Sequence, residues 1–374
     1  MSLSSEIKEF ALSIGYDRIG FTTADIFTIY EKELNERRQM YEWTLGSNLR
    51  LYRSSDPRNI LPEARSIVVT VYDYFRHSYP VELTGKVGRL YQSVGGIPPL
   101  PINRARHRLL REFLEKHGIR TSRGAIEPPA RLAGARSRIT NFGKNCFAYA
   151  DSIGSFIMID TIVIDRELEY DEPTLVVACP EKCGACINAC PTGALYEPLK
   201  IDPRRCIAFN SYATPGSLFG SGQEIIPVDI REQMGTWVFG CDICQEACPR
   251  NRARLKMKLP PNAYLENIAS DFHLDRLLNM SDEHFSRIST LLTYIKDKRY
   301  FRRNAAVAMG NLGDRDYIPS LSQAMQDPYE VVRGHVAWSL GKIGGDKARN
   351  ILLQYRATEN SAYVQSEIAA ALAR

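Results

Sequence analysis

Apolar positions in the first 170 residues follow two periods. Ile7, Phe10, Ala11 and Ile14 recur at helical spacing and predict an amphipathic helix over about 4–15, ended by Gly15. Asp17-Arg18-Ile19-Gly20-Phe21 reads as a short strand. Ser66 to Tyr72 is a β-branched run that reads as a buried strand, and Ile157 to Ile164 is another. Between them, about 103–117 forms a strongly basic helix that stops at Gly118. Helices alternating with strands predict an α/β domain over residues 1–170. A Gly/Pro-rich stretch over about 80–102, containing Gly95-Gly96-Ile97-Pro98-Pro99-Leu100-Pro101, reads either as a surface loop or as a pocket wall.

The last third is helical and repeats itself. Arg302 aligns with Arg333, Ala306 with Ala337, Gly310 with Gly341 and Leu312 with Ile343, a period of about 31 residues, and Val364 opens a third copy with Ile368 in register. This resembles short HEAT-like repeats over 256–374. So few copies bury little core alone, so they are expected to pack on the preceding domain. Stacking would gather Arg302, Arg333 and the Lys296-Asp297-Lys298-Arg299 group on one face, either as a phosphate-binding surface or as ordinary helix-surface charge.

Composition narrows the class. The 374 residues are 44% hydrophobic and 24% charged, as in ordinary globular proteins, and carry a net charge of +5, which permits an anionic partner. No stretch reads as a transmembrane span, and the first ten residues have no signal-peptide core. Arg37-Arg38 lies too far in for a twin-arginine signal. No membrane association and a cytoplasmic location are expected.

The chemistry sits in 171–255. Eight of the nine cysteines fall in Cys179-Pro-Glu-Lys-Cys183-Gly-Ala-Cys186-Ile-Asn-Ala-Cys190-Pro191, Arg205-Cys206 and Cys241-Asp-Ile-Cys244-Gln-Glu-Ala-Cys248-Pro249. Both dense runs end in Cys-x3-Cys-Pro, the ending of a bacterial ferredoxin run, in which the last cysteine ligates the other cluster. One [4Fe–4S] cluster would take Cys179, Cys183, Cys186 and Cys248, and the other Cys190, Cys206, Cys241 and Cys244. The first gap, x3 where the ferredoxin run has x2, makes Cys179 the ligand the pattern supports least. Disulfides do not suit a chain without secretion signals. Paired zinc sites are disfavoured by the two Cys-Pro endings. The x3–x2 spacing of radical S-adenosylmethionine enzymes does not account for the second run.

Other motifs are weaker. Gly216-Ser-Leu-Phe-Gly220-Ser-Gly222 follows no clear strand, so it does not read as a dinucleotide loop. Asp271-Phe-His273-Leu-Asp-Arg276 has Arg276 where a corrinoid lower-ligand loop has glycine, and reads as a surface helix start. Cys146 reads as a small buried hydrophobe. Arg250 to Lys258 is a basic patch, either a solvated linker or a phosphate contact. Two clusters between two other domains imply a reductase with a second redox cofactor.

Nearly the whole chain resembles the epoxyqueuosine reductase family, corrinoid-dependent iron–sulfur proteins related to reductive dehalogenases. The resemblance rests on Ser13-Ile-Gly15-Tyr-Asp17-Arg18-Ile-Gly20-Phe21-Thr22-Thr23-Ala24-Asp25, Asp56-Pro57-Arg58-Asn-Ile-Leu61-Pro62-Glu-Ala64, Gly143-Lys144-Asn145-Cys146, Ala189-Cys190-Pro191-Thr192-Gly193-Ala194-Leu195, Arg205-Cys206-Ile207 and Gly240-Cys241-Asp242-Ile243-Cys244-Gln245. It implies an α+β multidomain protein with an N-terminal α/β corrinoid-binding domain, a ferredoxin-like domain with two [4Fe–4S] clusters and C-terminal helical repeats. Cobalamin would bind base-off, reduced by the clusters to its nucleophilic low-valent state, and epoxyqueuosine in a tRNA anticodon stem-loop would be reduced to queuosine. Positions matching the family's corrinoid contacts are Arg53, Ala148, Ile159, Ala208, Ser211, Cys241 and Asp242. An external donor such as ferredoxin or flavodoxin would supply electrons.

The chain departs from the family where a proton is needed. The family's general-acid aspartate falls at Gly124, its glycine-rich stretch becomes Ser137-Arg138-Ile139-Thr140, and its Tyr-His pair before the basic helix is missing. Glu127 or Tyr91 are the substitutes at hand; for Glu127 the other reading is a surface ion pair. Two alternatives stay open: a paralogue acting on another substrate, and a non-catalytic electron carrier whose repeats dock a protein.

Overall fold

The computed structural model describes residues 2–42, 45–94, 102–124, 126–174, 177–214, 223–289, 295 and 297–374, leaving aside the side chains of 45–49 and 94. The Gly95 to Pro101 part of the glycine- and proline-rich stretch, the 216–222 loop and Lys296 therefore lie outside the described residues.

Among the described residues the strands are β1 (Arg18–Thr23), β2 (Ser66–Asp73), β3 (Asn141–Phe142), β4 (Ala148–Tyr149), β5 (Ile157–Ile164), β6 (Leu195–Glu197) and β7 (Lys200–Ile201). β1, β2 and β5 form one sheet in that order, and both pairs are antiparallel, with Arg18 opposite Val71 and Val71 opposite Ile159. This corrects the expected α/β domain to α+β. Helices between strands are compatible with either strand sense, and the pattern of β2 does not discriminate. All eight of its residues are buried, as in a central parallel strand, because helices cover both faces. Helices Leu3–Ser13 and Ile102–Lys116 pack Ile7, Ala11, Leu110 and Leu114 against Val68, Tyr72, Ile162 and Ile164. Helix Ala130–Arg136 packs Ala133 against Ile67, Val69 and Val163 on the other face. β5 is an edge strand. Thr121 and Ser122 pair with it at Ile164 and Val163, and among the described residues no strand pairs with its first half on that side.

The repeats have the expected form. Helices Lys298–Leu312, Glu330–Ile343 and Ala362–Leu372 stack side by side, backed by Ile318–Ala324 and Gly345–Arg356. The repeated glycines set their spacing: a Cβ on Gly310 would lie 2.8 Å from Trp338, and one on Gly341 2.5 Å from the Cβ of Ala371. The stack closes on the cysteine-rich domain, as expected of so short an array. Arg303, fully buried, donates to the carbonyls of Glu224 (2.8 Å), Asn210 (2.8 Å) and Gln223 (3.2 Å). Asn304 donates to Ser211 O and Val238 O. From the other side, Arg231 reaches Glu367 at 2.7 and 2.9 Å. His335 Nδ1 donates to Val331 O, so Nε2 accepts from Ile226 N.

Arg302 and Arg333 do occupy equivalent positions, but not as a phosphate-binding face. Arg302 pairs with Asp327 at 2.5 Å, and Arg333 makes a two-pronged pair with Glu359 at 2.7 and 2.8 Å, all four side chains being largely buried. The repeat has duplicated an internal ion pair. The charge pattern hid this because each acidic partner lies about one helical hairpin further along the chain.

Candidate functional site

Four of the cysteines gather around one hollow. Cys179, Cys183, Cys186 and Cys248 line this hollow, partly open to solvent, with Lys144, Asn145, Tyr149, Ala185 and Pro249. Cys179 thus joins this set despite its x3 gap. Of the other four, burial pushes the thiols of Cys206, Cys241 and Cys244 up, and neighbouring cysteines, Cys190 among them, add to the effect. All nine cysteines are free thiols. Helix starts aim backbone N–H groups at the sulfurs. Those of Ala208 and Phe209 reach Cys206, that of Ile243 reaches Cys241, and that of Ile187 reaches Cys186. Four thiols with converging amides are the donor set of an iron–sulfur cube, whose charge would replace the missing compensation and ionise them.

The turn Gly143-Lys144-Asn145-Cys146 fastens the N-terminal domain to both sets. Lys144 Nζ donates to the carbonyls of Glu181 (2.6 Å), Cys183 (2.9 Å) and Pro180 (3.0 Å), gathering the first cysteine loop. Asn145 Nδ2 donates to Tyr149 Oη at 2.9 Å and to Cys244 O at 3.3 Å. Cys146 is half-buried at φ 66°, and burial lifts its thiol to about 11, with Cys186 of one set and Cys206 of the other adding to the rise. It is therefore a turn residue between the two sets rather than a fully buried hydrophobe. A second buried network runs from Asn251, which donates to Ser155 Oγ (2.8 Å) and Gln245 O (2.9 Å), through Gln245 to Asp242. Asp242 then accepts from Arg89 N (2.7 Å) and Nη1 (3.1 Å).

The residues matched to corrinoid contacts form two groups. Ser211 Oγ accepts from Gly240 N at 2.8 Å, tying helix Ile207–Tyr212, which holds Ala208, to the loop of Cys241 and Asp242. Ala148 and Ile159 lie on the sheet domain, Ala148 buried in β4 and Ile159 half-buried on β5. Arg53 is exposed on helix Leu45–Ser54, its carbonyl accepting from Asn59 Nδ2. The side chains of Ser211 and Asp242 are committed to the protein's own bonds. A corrinoid at these positions would meet backbone and apolar surface there. Thr140 Oγ1, beside Ile159 and buried, has no partner among the described residues and suits a polar ligand edge.

Among the described residues, neither substitute acid is in a surface ion pair. Tyr91 is buried against Phe239, with ring centroids 4.2 Å apart, and packs on Gly240 beside the second cysteine set. Glu127 is open to solvent but has protein around it. Burial, with the negative charge of Asp160, raises its carboxyl above the usual range, opposed by His107 and Arg50. Gly124 is exposed. Asp160 was missed by sequence reasoning. Its signal was a single carboxylate in an apolar strand, which needs a reason to be there. Arg250 and Arg254 turn inward, Arg250 over the Tyr149 ring (4.1 Å) and Arg254 to Asp73 (2.5 Å), while Arg252, Lys256 and Lys258 are exposed. His273 starts helix Leu274–Leu278 at the surface, as read.

Residues 179–251 match the family model of the 4Fe-4S double cluster binding domain, and 288–373 that of HEAT repeats. The chain is 29% identical to an epoxyqueuosine reductase of Bacillus subtilis, over 91% of this chain and 88% of that one. It superposes with a TM-score of 0.84 and 28% identity on a structure of the Bacillus subtilis enzyme with its catalytic aspartate loop swung out of the active site, over 99% of this chain and 98% of that one. A third match, at TM-score 0.81 and 28% identity with the same coverage, is an epoxyqueuosine reductase with an epoxyqueuosine-modified tRNA-Tyr stem loop.

Proposed function

Since the chain belongs to the epoxyqueuosine reductase family, we propose that it is an oxidoreductase that reduces epoxyqueuosine to queuosine in tRNA. What supports this reading is the match to such reductases over nearly the whole chain, together with four of the cysteines gathered around one hollow. The two [4Fe–4S] clusters and a cobalamin, when bound, supply low-potential electron transfer and two-electron reduction. Cys179, Cys183, Cys186 and Cys248 would hold one cluster, and Cys190, Cys206, Cys241 and Cys244 the other. Ala148, Ile159 and the backbone around Ala208, Ser211, Cys241 and Asp242 would cradle the corrinoid, with Arg53 at its rim.

The protein's own work is positional. Lys144 and Asn145 keep the cysteine loops against the sheet domain, and Arg89 holds the Asp242 loop beside Phe75 and Phe156. Glu127 is the residue proposed to hand a proton to the departing oxygen. tRNA phosphates would be met by Arg104 and Arg108 on the basic helix and by Arg252, Lys256 and Lys258, all exposed and unpaired among the described residues, rather than by Arg302 and Arg333. No helix among the described residues is long and apolar enough to cross a membrane. A cytoplasmic location and a ferredoxin- or flavodoxin-type donor complete the proposal.

The test is anaerobic. The clusters are reconstituted, cobalamin is added, and epoxyqueuosine-containing tRNA is assayed for queuosine while the corrinoid spectrum is followed. Conversion is the expected result. A bound, reducible corrinoid without conversion would point to another substrate, and no corrinoid binding to an electron carrier.

A further inference from the structure

The second cysteine run is met from the N-terminal domain by a short backbone zipper. Gly88 N donates to Phe239 O at 2.8 Å, and Val238 N and Phe239 N donate to Lys86 O at 2.8 and 3.0 Å, with Val87 bridging Phe239 in parallel. The pairing stops two residues before Cys241. Gly240 follows it at φ 80°, and a Cβ there would lie 2.4 Å from Tyr91 Cε2, so glycine is what lets helix Arg89–Val94 close over this loop.

The first residue of that helix delivers a cation. Arg89 N donates to Asp242 Oδ2 at 2.7 Å. Its Nη1 donates to the same oxygen at 3.1 Å and to Glu246 Oε1 at 2.5 Å. Gln245 Nε2 donates to Asp242 Oδ1 at 3.3 Å. The guanidinium stands 5.7 Å from the ring centre of Tyr79, 5.8 Å from that of Phe156 and 6.0 Å from that of Phe75. The Arg89 side chain is 16% exposed and that of Asp242 4%. Apolar side chains of similar volume would fasten the loop as well as a buried ion pair or better, so holding the loop does not by itself account for the two charges.

What the charges can do follows from where Asp242 lies, one residue after Cys241 and two before Cys244. Consecutive Cα atoms are about 3.8 Å apart, which keeps the carboxylate within roughly 10 Å of the Cys241 sulfur in any rotamer. A carboxylate so near opposes negative charge gained at these sulfurs, and Arg89 offsets it. The thiols register the same influence: after burial and neighbouring cysteines, Asp242 adds to the rise of both Cys241 and Cys244.

Resting on the reading above, in which Cys190, Cys206, Cys241 and Cys244 hold one cluster, we propose that Arg89 and Asp242 form a charge pair that sets the reduction potential of that cluster, Asp242 lowering it and Arg89 raising it. Both are positioning residues that act through charge. The step is the arrival of one electron from a low-potential one-electron protein donor. One negative charge is added at these four sulfurs and their iron, and no bond forms or breaks in the protein. Net charge nearby is one of the levers on such a potential. With an effective dielectric constant of about 20, a unit charge about 10 Å away changes the one-electron equilibrium about tenfold, which is about 59 mV. Arginine suits the task because its charge is permanent.

The test is a redox titration followed by electron paramagnetic resonance, on the cluster-loaded protein without tRNA. It compares wild type with Asp242→Asn, Arg89→Met, Arg89→Lys and the combined Asp242→Asn with Arg89→Met. Iron near about eight atoms per chain shows that both clusters are held. Asp242→Asn is expected to raise one cluster's potential by about 59 mV, a tenfold gain in its reduced form. Arg89→Met should lower that potential by a similar amount, and adding it to Asp242→Asn should bring the potential back towards wild type. Arg89→Lys keeps the charge and should keep the potential. A loop clamp alone would lose iron in these variants and would not give shifts of opposite sign. No rise in Asp242→Asn overturns the proposal, and so does a combined variant that stays at the Asp242→Asn value. Should the Arg89→Met proteins fail to hold iron, Asp242→Asn decides alone. If the wild type converts no epoxyqueuosine, the functional reading falls, while the potentials still decide what Arg89 and Asp242 do.

Discussion

Replacing Arg303 by methionine tests how the repeats are fastened to the iron–sulfur domain. The guanidinium is fully buried and, among the described residues, is hydrogen-bonded by no carboxylate but by the carbonyls of Asn210, Gln223 and Glu224 and by Asn304 Oδ1. Burial lowers its pKa to about 10, which still leaves it charged at neutral pH. Methionine fills much of the volume and removes a dehydrated charge, a gain of several kcal/mol. It also strips the buried Asn210 carbonyl and the part-buried carbonyls of Gln223 and Glu224 of a charged donor, at about 1.5–3 kcal/mol apiece. The losses exceed the gain, and a net destabilisation of about 3 kcal/mol is expected. Urea unfolding at pH 7, followed by the fluorescence of buried Trp338, should show an earlier transition in which the repeats come away, while cluster absorbance persists to higher urea. A loss below about 1 kcal/mol would refute the view that these carbonyls depend on Arg303.

Four further outcomes follow from the geometry. Lys144→Met should loosen the loop of Cys179 and Cys183, and iron analysis after gel filtration should fall from about eight towards about four atoms per chain. Arg302→Ala and Arg333→Ala should each lower stability by about 1–3 kcal/mol yet leave the salt dependence of tRNA binding unchanged, whereas Arg104→Ala with Arg108→Ala should reduce that slope by about two. His335 is buried and neutral, with its pKa held well below the ordinary imidazole value chiefly by burial. The unfolded chain therefore takes up the proton first, so stability is present above about pH 6.5 and falls below it by up to about 1.4 kcal/mol per pH unit. His335→Gln should flatten that limb in denaturation measured between pH 5 and 7.

The sequence carried the cysteine chemistry and the repeats because both are written as local spacing. Cys-x3-Cys-Pro twice, with Cys206 between, sufficed to point to a double-cluster domain, and it named the four cysteines, Cys248 among them, that line one hollow. The strand at Ile157 to Ile164 was legible, but not the sense of its pairing, since alternation records burial and not direction. What escaped was non-local. Arg302 looked like free surface charge because its partner Asp327 comes 25 residues later. Asp160 and Tyr16, 144 residues apart, are joined only by the sheet. Lys144 was visible as part of a motif, but its three carbonyl partners at Pro180, Glu181 and Cys183 were not, because backbone acceptors have no sequence signature.

The exchange of ligands between the two cysteine runs has a consequence for synthesis. Cys248 is the last member of the first set and Cys190 the first member of the second. A nascent chain growing at about 5–20 residues per second therefore carries three thiols of the first set for several seconds before the fourth exists. With the proposed ligand sets, neither metal centre can be completed by a polypeptide that ends before residue 244, and the first remains open until residue 248 has left the ribosome. Loading must be late and joint, and a truncated product would emerge with reactive thiols and no iron.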